Sequence, residues 1–181
     1  TRQPRRPGRP VVASSTANGV QANEDSFWSR VSRDGRYVAF RSAADNLTSR
    51  TVQPDVVNVY LKDRLTGSIR LITHASDGAN GSRFPLDISA DGEYLTFVSY
   101  ASNLVNDDTN GSHSDVFRWE RTLDYVTLVS VDSAGVQSTE PSFHGSMSDD
   151  GQFVVFESLF GTADGPSQIY RPDTPEAARE A

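Results

Sequence analysis

The chain has 181 residues, 36% of them hydrophobic and 23% charged, and a formal net charge of −7. No apolar run approaches the roughly 20 residues that a helix needs to cross a bilayer, and the acidic balance repels a phosphate backbone, so membrane-spanning and general nucleic-acid-binding roles are disfavoured. Cysteine is absent, which excludes disulfides, thiolate nucleophiles and cysteine-based zinc sites.

Residues 1–10 carry four arginines and three prolines with nothing to build a core, and read as a disordered basic linker. Val11-Val12-Ala13-Ser14 follows as an extended segment, and residues 11–15 are a candidate closing strand for a repeat elsewhere. The first repeat spans about 27–74. It opens on Ser32-Arg33-Asp34-Gly35, a turn signal, and runs into Tyr37-Val38-Ala39-Phe40. The same pattern returns at Ser89-Ala90-Asp91-Gly92 before Tyr94-Leu95-Thr96-Phe97, and at Ser148-Asp149-Asp150-Gly151 before Phe153-Val154-Val155-Phe156, the serines lying 57 and then 59 residues apart. A fixed period with one hairpin signal per unit marks a stacked-repeat protein. Asp-Gly supplies the positive backbone angle that a tight hairpin requires.

Behind each hairpin comes a further strand pair. Asn58-Val59-Tyr60-Leu61 matches Asp115-Val116-Phe117-Arg118, and Ile69-Arg70-Leu71 matches Val126-Thr127-Leu128. The second repeat, about 84–131, is expected to hold strands near 84–89, 93–99, 115–120 and 126–131. The third covers about 142–171, with the weak match Gln168-Ile169-Tyr170 as its last strand, and 172–181 is a proline-containing tail. Four short antiparallel strands per unit make a propeller blade, so the fold class is all-β with about three blades. Closed propellers have four to eight. Two readings stay open: a segment of a longer propeller, or half of a six-bladed ring completed by a head-to-tail homodimer through residues 11–15.

The repeat Ser-x-Asp-Gly-x-Tyr-Val-Ala-Phe, together with Asp108-Thr109-Asn110-Gly111 and Asp115-Val116-Phe117, resembles the TolB-type, WD-repeat-like β-propeller repeats of bacterial envelope and secreted proteins. The resemblance runs over about residues 11–171 and is best in the first two units. It implies a periplasmic or extracellular non-enzymatic scaffold with a protein or glycan partner. The alternative it leaves open is a propeller lid or substrate-binding segment of a larger hydrolase or polysaccharide lyase.

The densest polar loop runs from Asn106 to Asp115. Its oxygen-rich side chains around Gly111 suit a hard cation, with Asp108, Asn110 and Asp115 as candidate Ca²⁺ ligands, against the reading of a polar turn that bonds its own backbone. Asp34, Asp91 and Asp150 repeat in every unit and are read as hairpin residues. No Gly-x-Ser-x-Gly elbow surrounds Ser32, Ser89 or Ser148, and His74, His113 and His144 lack metal spacing. No catalytic residue and no nucleotide cofactor is expected. Trp28 and Trp119 are expected to pack between blades.

Overall fold

A computed structural model describes residues 11–53, 56–73, 86–111, 113–132 and 134–159, together with the backbone of 168–170. The expectations for residues 1–10, for His74 and for the tail 172–181 lie outside the described residues. All regular structure among the described residues is β. The first blade is an antiparallel sheet of β1 (Ser26–Val31), β2 (Tyr37–Ser42), β3 (Asn58–Asp63) and β4 (Ile69–Leu71), in that order. The second contains β5 (Asp87–Ile88), β6 (Tyr94–Ser99), β7 (Asp115–Glu120) and β8 (Tyr125–Leu128). In the third, β10 (Val154–Ser158) lies between β9 (Ser142–Met147) and β11 (Gln168–Tyr170).

Each hairpin is locked by its own sequence. The Ser32 hydroxyl donates to Asp34 Oδ1 (2.6 Å) and accepts from the Tyr37 amide (2.9 Å), while the Arg36 amide also donates to Asp34 Oδ1 (2.9 Å). The same three bonds recur at Ser89, Asp91, Glu93 and Tyr94, and at Ser148, Asp150, Gln152 and Phe153. Gly35, Gly92 and Gly151 take φ of 74°, 70° and 70°, a region closed to most side chains.

The core lies between blades, because alternate residues of each middle strand face opposite neighbours. Tyr37, Ala39, Val59 and Leu61 of the first blade pack on Leu95, Phe97, Phe117 and Trp119 of the second. Val98, Val116 and Val129 of the second pack on Val154 and Phe156 of the third. β6 is buried along its whole length, since it is covered on both sides.

The link from the second blade to the third has a twin ahead of the first blade. Between residues 129 and 138, Val131 donates to Val129 O, Asp132 to Val136 O, Gly135 to Asp132 O and Ser138 to Ser130 O. At 13–22 the bonds are Ser15 to Ala13 O, Thr16 to Val20 O, Gly19 to Thr16 O and Ala22 to Ser14 O, the same four in the same order. Residues 11–14 therefore stand where the end of a blade's fourth strand stands. Lys62 fastens this connector to the first blade: its buried ammonium donates to Ser15 O (2.9 Å), Thr16 O (3.0 Å) and Gly67 O (2.7 Å).

Candidate functional site

The first strands of the blades converge on a cleft of about 370 Å³ lined by Arg30, Leu86, Asp87, His144, Gly145 and Ser146. Two of these strands are bulged. The pairing of β1 with β2 slips between Phe27 and Arg30, and that of β9 with β10 slips between Ser146 and Phe143. Inside each bulge a non-glycine residue is left-handed, Trp28 at φ 55° and His144 at φ 51°. Both sit four residues ahead of their motif serine, so they occupy one repeat position. The left-handed region costs an ordinary residue roughly 1–2 kcal/mol, and a bulge re-aims the side chain that it carries. The corresponding residue of the second blade, Pro85, lies outside the described residues.

Around the bulges stand groups of both charges. His144 Nδ1 lies 3.0 Å from Glu157 Oε2. Asp87 Oδ2 accepts from the Ser146 hydroxyl (3.0 Å) and from the Met147 amide (2.9 Å), which ties the second blade to the third beside the cleft. Arg30 brings a guanidinium from the first blade. Trp28 is 48% exposed. This corrects the expectation that it packs between blades, whereas Trp119 is fully buried there, its indole N–H donating to Asp124 Oδ1 (3.0 Å). Sequence reading also passed over Arg30, Asp87, Ser146 and Glu157. The usable signal was positional: a bulky residue four places before the turn serine in two repeats.

The Asn106–Asp115 loop is drawn into a knot against the connector. Gln137 Nε2 donates to Asp108 Oδ1 (2.9 Å), its Oε1 accepts from the Thr109 amide (2.8 Å), and Asn110 Nδ2 donates to Ser138 O (2.9 Å). Asp115 is fully buried; the Ser130 hydroxyl donates to its Oδ1 (2.7 Å), whereas its Oδ2 and the Oδ1 of Asn110 are buried without a hydrogen-bond donor. Burial pushes the Asp115 carboxyl above its usual range and the nearby Asp108 charge adds to the push, while Ser130 and the side-chain amides of Gln137 and Asn110, which approach the carboxylate without well-formed hydrogen bonds to Oδ2, draw it partly back. Asp108, Asn110 and Asp115 are thus brought together. His113 stands apart from them in its bonding, its Nδ1 lying 2.7 Å from Thr139 O. Among the described residues no three or more histidines and carboxylates gather as a metal site.

TolB from Acinetobacter baumannii superposes with a TM-score of 0.51 at 20% identity, over 84% of this chain and 30% of that one. A TolB protein of Agrobacterium tumefaciens gives 0.51 at 19% identity, over 87% of this chain and 44% of that one. The fold is a TolB-like β-propeller fold. An oligogalacturonate lyase from Vibrio parahaemolyticus follows at 0.48 and 16% identity, over 84% and 36%. The chain spans less than half the length of each of these proteins. No family model matches the sequence, and no curated protein matches it. A propeller fold does not by itself assign a reaction.

Proposed function

We propose that the chain is a non-enzymatic β-propeller scaffold of the bacterial envelope or exterior, which holds a peptide or glycan segment in the cleft between its first strands. The observation that carries this reading is the pair of left-handed bulges at one repeat position, which hold Trp28 and His144 out of the sheet. Strained backbone persists where surrounding structure enforces it, and binding sites are where it concentrates. An exposed indole offers a stacking face, while Arg30, Asp87 and His144 offer polar contacts that fix orientation. The TolB-like fold supports the location and the scaffold role. Trp119 is buried and Trp28, two residues before the cleft-lining Arg30, is exposed, so a ligand that reaches the bulge changes chiefly the emission of Trp28. Titration with panels of neutral and uronic oligosaccharides and of unstructured peptides is expected to shift the wild-type emission, to leave the added molecule intact, and to do nothing to Trp28→Ala. Cleavage of the glycan to unsaturated products would instead establish the lyase-related alternative.

A second reading concerns the loop knot. We infer that Asp108, Asn110 and Asp115 take a calcium ion, since the buried Asp115 Oδ2 and Asn110 Oδ1 make no well-formed hydrogen bond, the Asp108 charge stands nearby, and a hard cation satisfies several oxygens at once. Calcium is expected to raise the melting temperature of the wild type but not of Asp115→Asn. An identical unfolding curve with calcium and with chelator would leave the polar turn as the whole account.

A further inference from the structure

The two junctions between blades use one device, and its two halves recur on the outer faces of the chain. At the first junction, a Cβ built on Gly92 would lie 2.3 Å from Cδ2 of Tyr37, so the tyrosine ring sits directly on the glycine backbone. At the second, a Cβ on Gly151 would lie 2.3 Å from Cδ2 of Tyr94. The aromatic residue at this repeat position in the third blade is Phe153, on the open face, and the glycine of the first blade is Gly35. A Cβ on Gly35 meets only Arg64 Nη1, at 3.5 Å. The aromatic position is 5% exposed at Tyr37, 9% at Tyr94 and 49% at Phe153. Two residues on, exposure is 0% at Ala39 and at Thr96 but 40% at Val155.

The polar parts of the junction continue in the same way. Arg33 N donates to Ala90 O (2.9 Å) and Ala90 N donates to Asp149 O (2.7 Å). The next donor in this series is the Asp149 amide and the free acceptor at its other end is Arg33 O; neither makes a backbone bond among the described residues. Over the first junction lies Arg121, whose Nε donates to Gly92 O (3.1 Å) while its guanidinium covers the Tyr37 ring at 4.7 Å. Arg64, its counterpart in the first blade, already donates to Gly35 O (2.5 Å). The open face of the first blade also holds a cleft of about 310 Å³ among Val12, Ala13, Ser14, Ser26, Phe27, Val38 and Phe40. Val38 and Phe40 are counterparts of Leu95 and Phe97, and Ala39 of the preceding blade belongs to the same core as those two. Val155 is the third-blade counterpart of Ala39.

We propose that the open face of the third blade docks on the open face of the first blade of a second copy, Phe153 seating on Gly35 of the partner copy and Val155 entering its Val38–Phe40 cleft. The Asp149 amide then meets Arg33 O of the partner copy, while the Asp149 carboxylate keeps the ion pair that it makes with Arg33 of its own chain. The described blades of two copies number six, inside the range of closed propellers. Closure brings Val11 and Val12, 77% and 46% exposed at a fourth-strand position, to the blade in which β11 is the outermost strand among the described residues. It also completes the wall of the first-strand cleft with three further first strands. The surface is a continuation of an interface made twice within the chain, so it stands independently of what the cleft binds.

Light scattering on the whole chain, from about 1 to 100 μM, a span that brackets ordinary reversible dimers, tests this directly. The wild type is expected at twice 19.8 kDa. Gly35→Ala and Phe153→Ser are each expected to weaken association at least about tenfold, and circular dichroism is expected to show both folded, since within the chain the Gly35 substitution pays only the strain of a left-handed residue and meets a flexible arginine tip; Gly19→Ala, equally left-handed with nothing within 4 Å, is expected to leave association unchanged. Mixing the two variants is expected to restore association in part, because one of the two junctions is then wild type. A wild type that stays monomeric over this range, a mass other than two copies, or a dimer indifferent to both variants would overturn the proposal.

Discussion

Asp63 shows how a single side chain joins two strands of the first blade. Arg36 donates to both of its oxygens, at 2.8 to 3.3 Å, and the Leu65 and Thr66 amides donate to Oδ1. The guanidinium bonds, with help from those amides and against the cost of burial, hold the carboxyl down at about 2. A depressed carboxyl contributes stability that is complete above its unfolded value, near 4, and is lost as pH falls through 2. Asp63→Asn is therefore expected to lower the melting temperature at neutral pH and to flatten its decline between about pH 4 and 2, as followed by thermal melts across that window. This pair had no sequence signal, because Arg36 and Asp63 lie on different hairpins. By contrast, the bonding of Asp34, Asp91 and Asp150 was legible, since a serine two residues before an Asp-Gly pair has few other things to do. Trp28 was misread for a general reason: a large ring is usually buried, and a left-handed bulge without glycine leaves no compositional mark.

At the scale of elements, the glycines separate two costs that sequence alone combines. Gly92 and Gly135 both have positive φ, 70° and 77°, but a Cβ on Gly92 would strike the Tyr37 ring whereas one on Gly135 meets nothing within 4 Å. Gly135→Ala is expected to lose only the left-handed penalty, about 1–2 kcal/mol. Gly92→Ala adds an overpacked junction, a further 1–3 kcal/mol or so. Urea unfolding midpoints of the two variants check the difference; equal losses would show that the aromatic seat does not hold the blades. Lys62→Met is expected to cost about 1–3 kcal/mol, since it strands three carbonyls that bind one ammonium, and to admit protease near residues 15–19 before the sheets open. The strands themselves were legible to within a few residues, β6 and β7 best of all, because alternating apolar residues behind a turn signal leave little choice of register. Of the strand expected near 84–89, β5 occupies Asp87–Ile88, and residues 84 and 85 lie outside the described residues.

For the molecule as a whole, the period of the turn motif predicted stacked blades, and the interblade core follows from it: a sheet with apolar side chains on both faces requires a neighbour on both sides. What the period left hidden was the chemistry of the junction, since an aromatic ring on a glycine of the next repeat joins residues about 55 positions apart, such as Tyr37 and Gly92. The same architecture ranks the blades in stability. β6 and β7 of the second blade are covered on both faces, while β1 is largely exposed and the outer face of β10 carries Val155 at 40% exposure. Amide hydrogen exchange is expected to be slowest in β6 and β7, where opening requires both junctions to separate. Docking of a second copy would add protection at β10 and β2 and leave β6 and β7 little changed. Comparing exchange in wild type and Phe153→Ser therefore separates the two contributions: slower exchange at β10 and β2 in the wild type alone is the signature of the closed ring, and equal exchange in both proteins would mean that each chain stands alone with its outer faces in water.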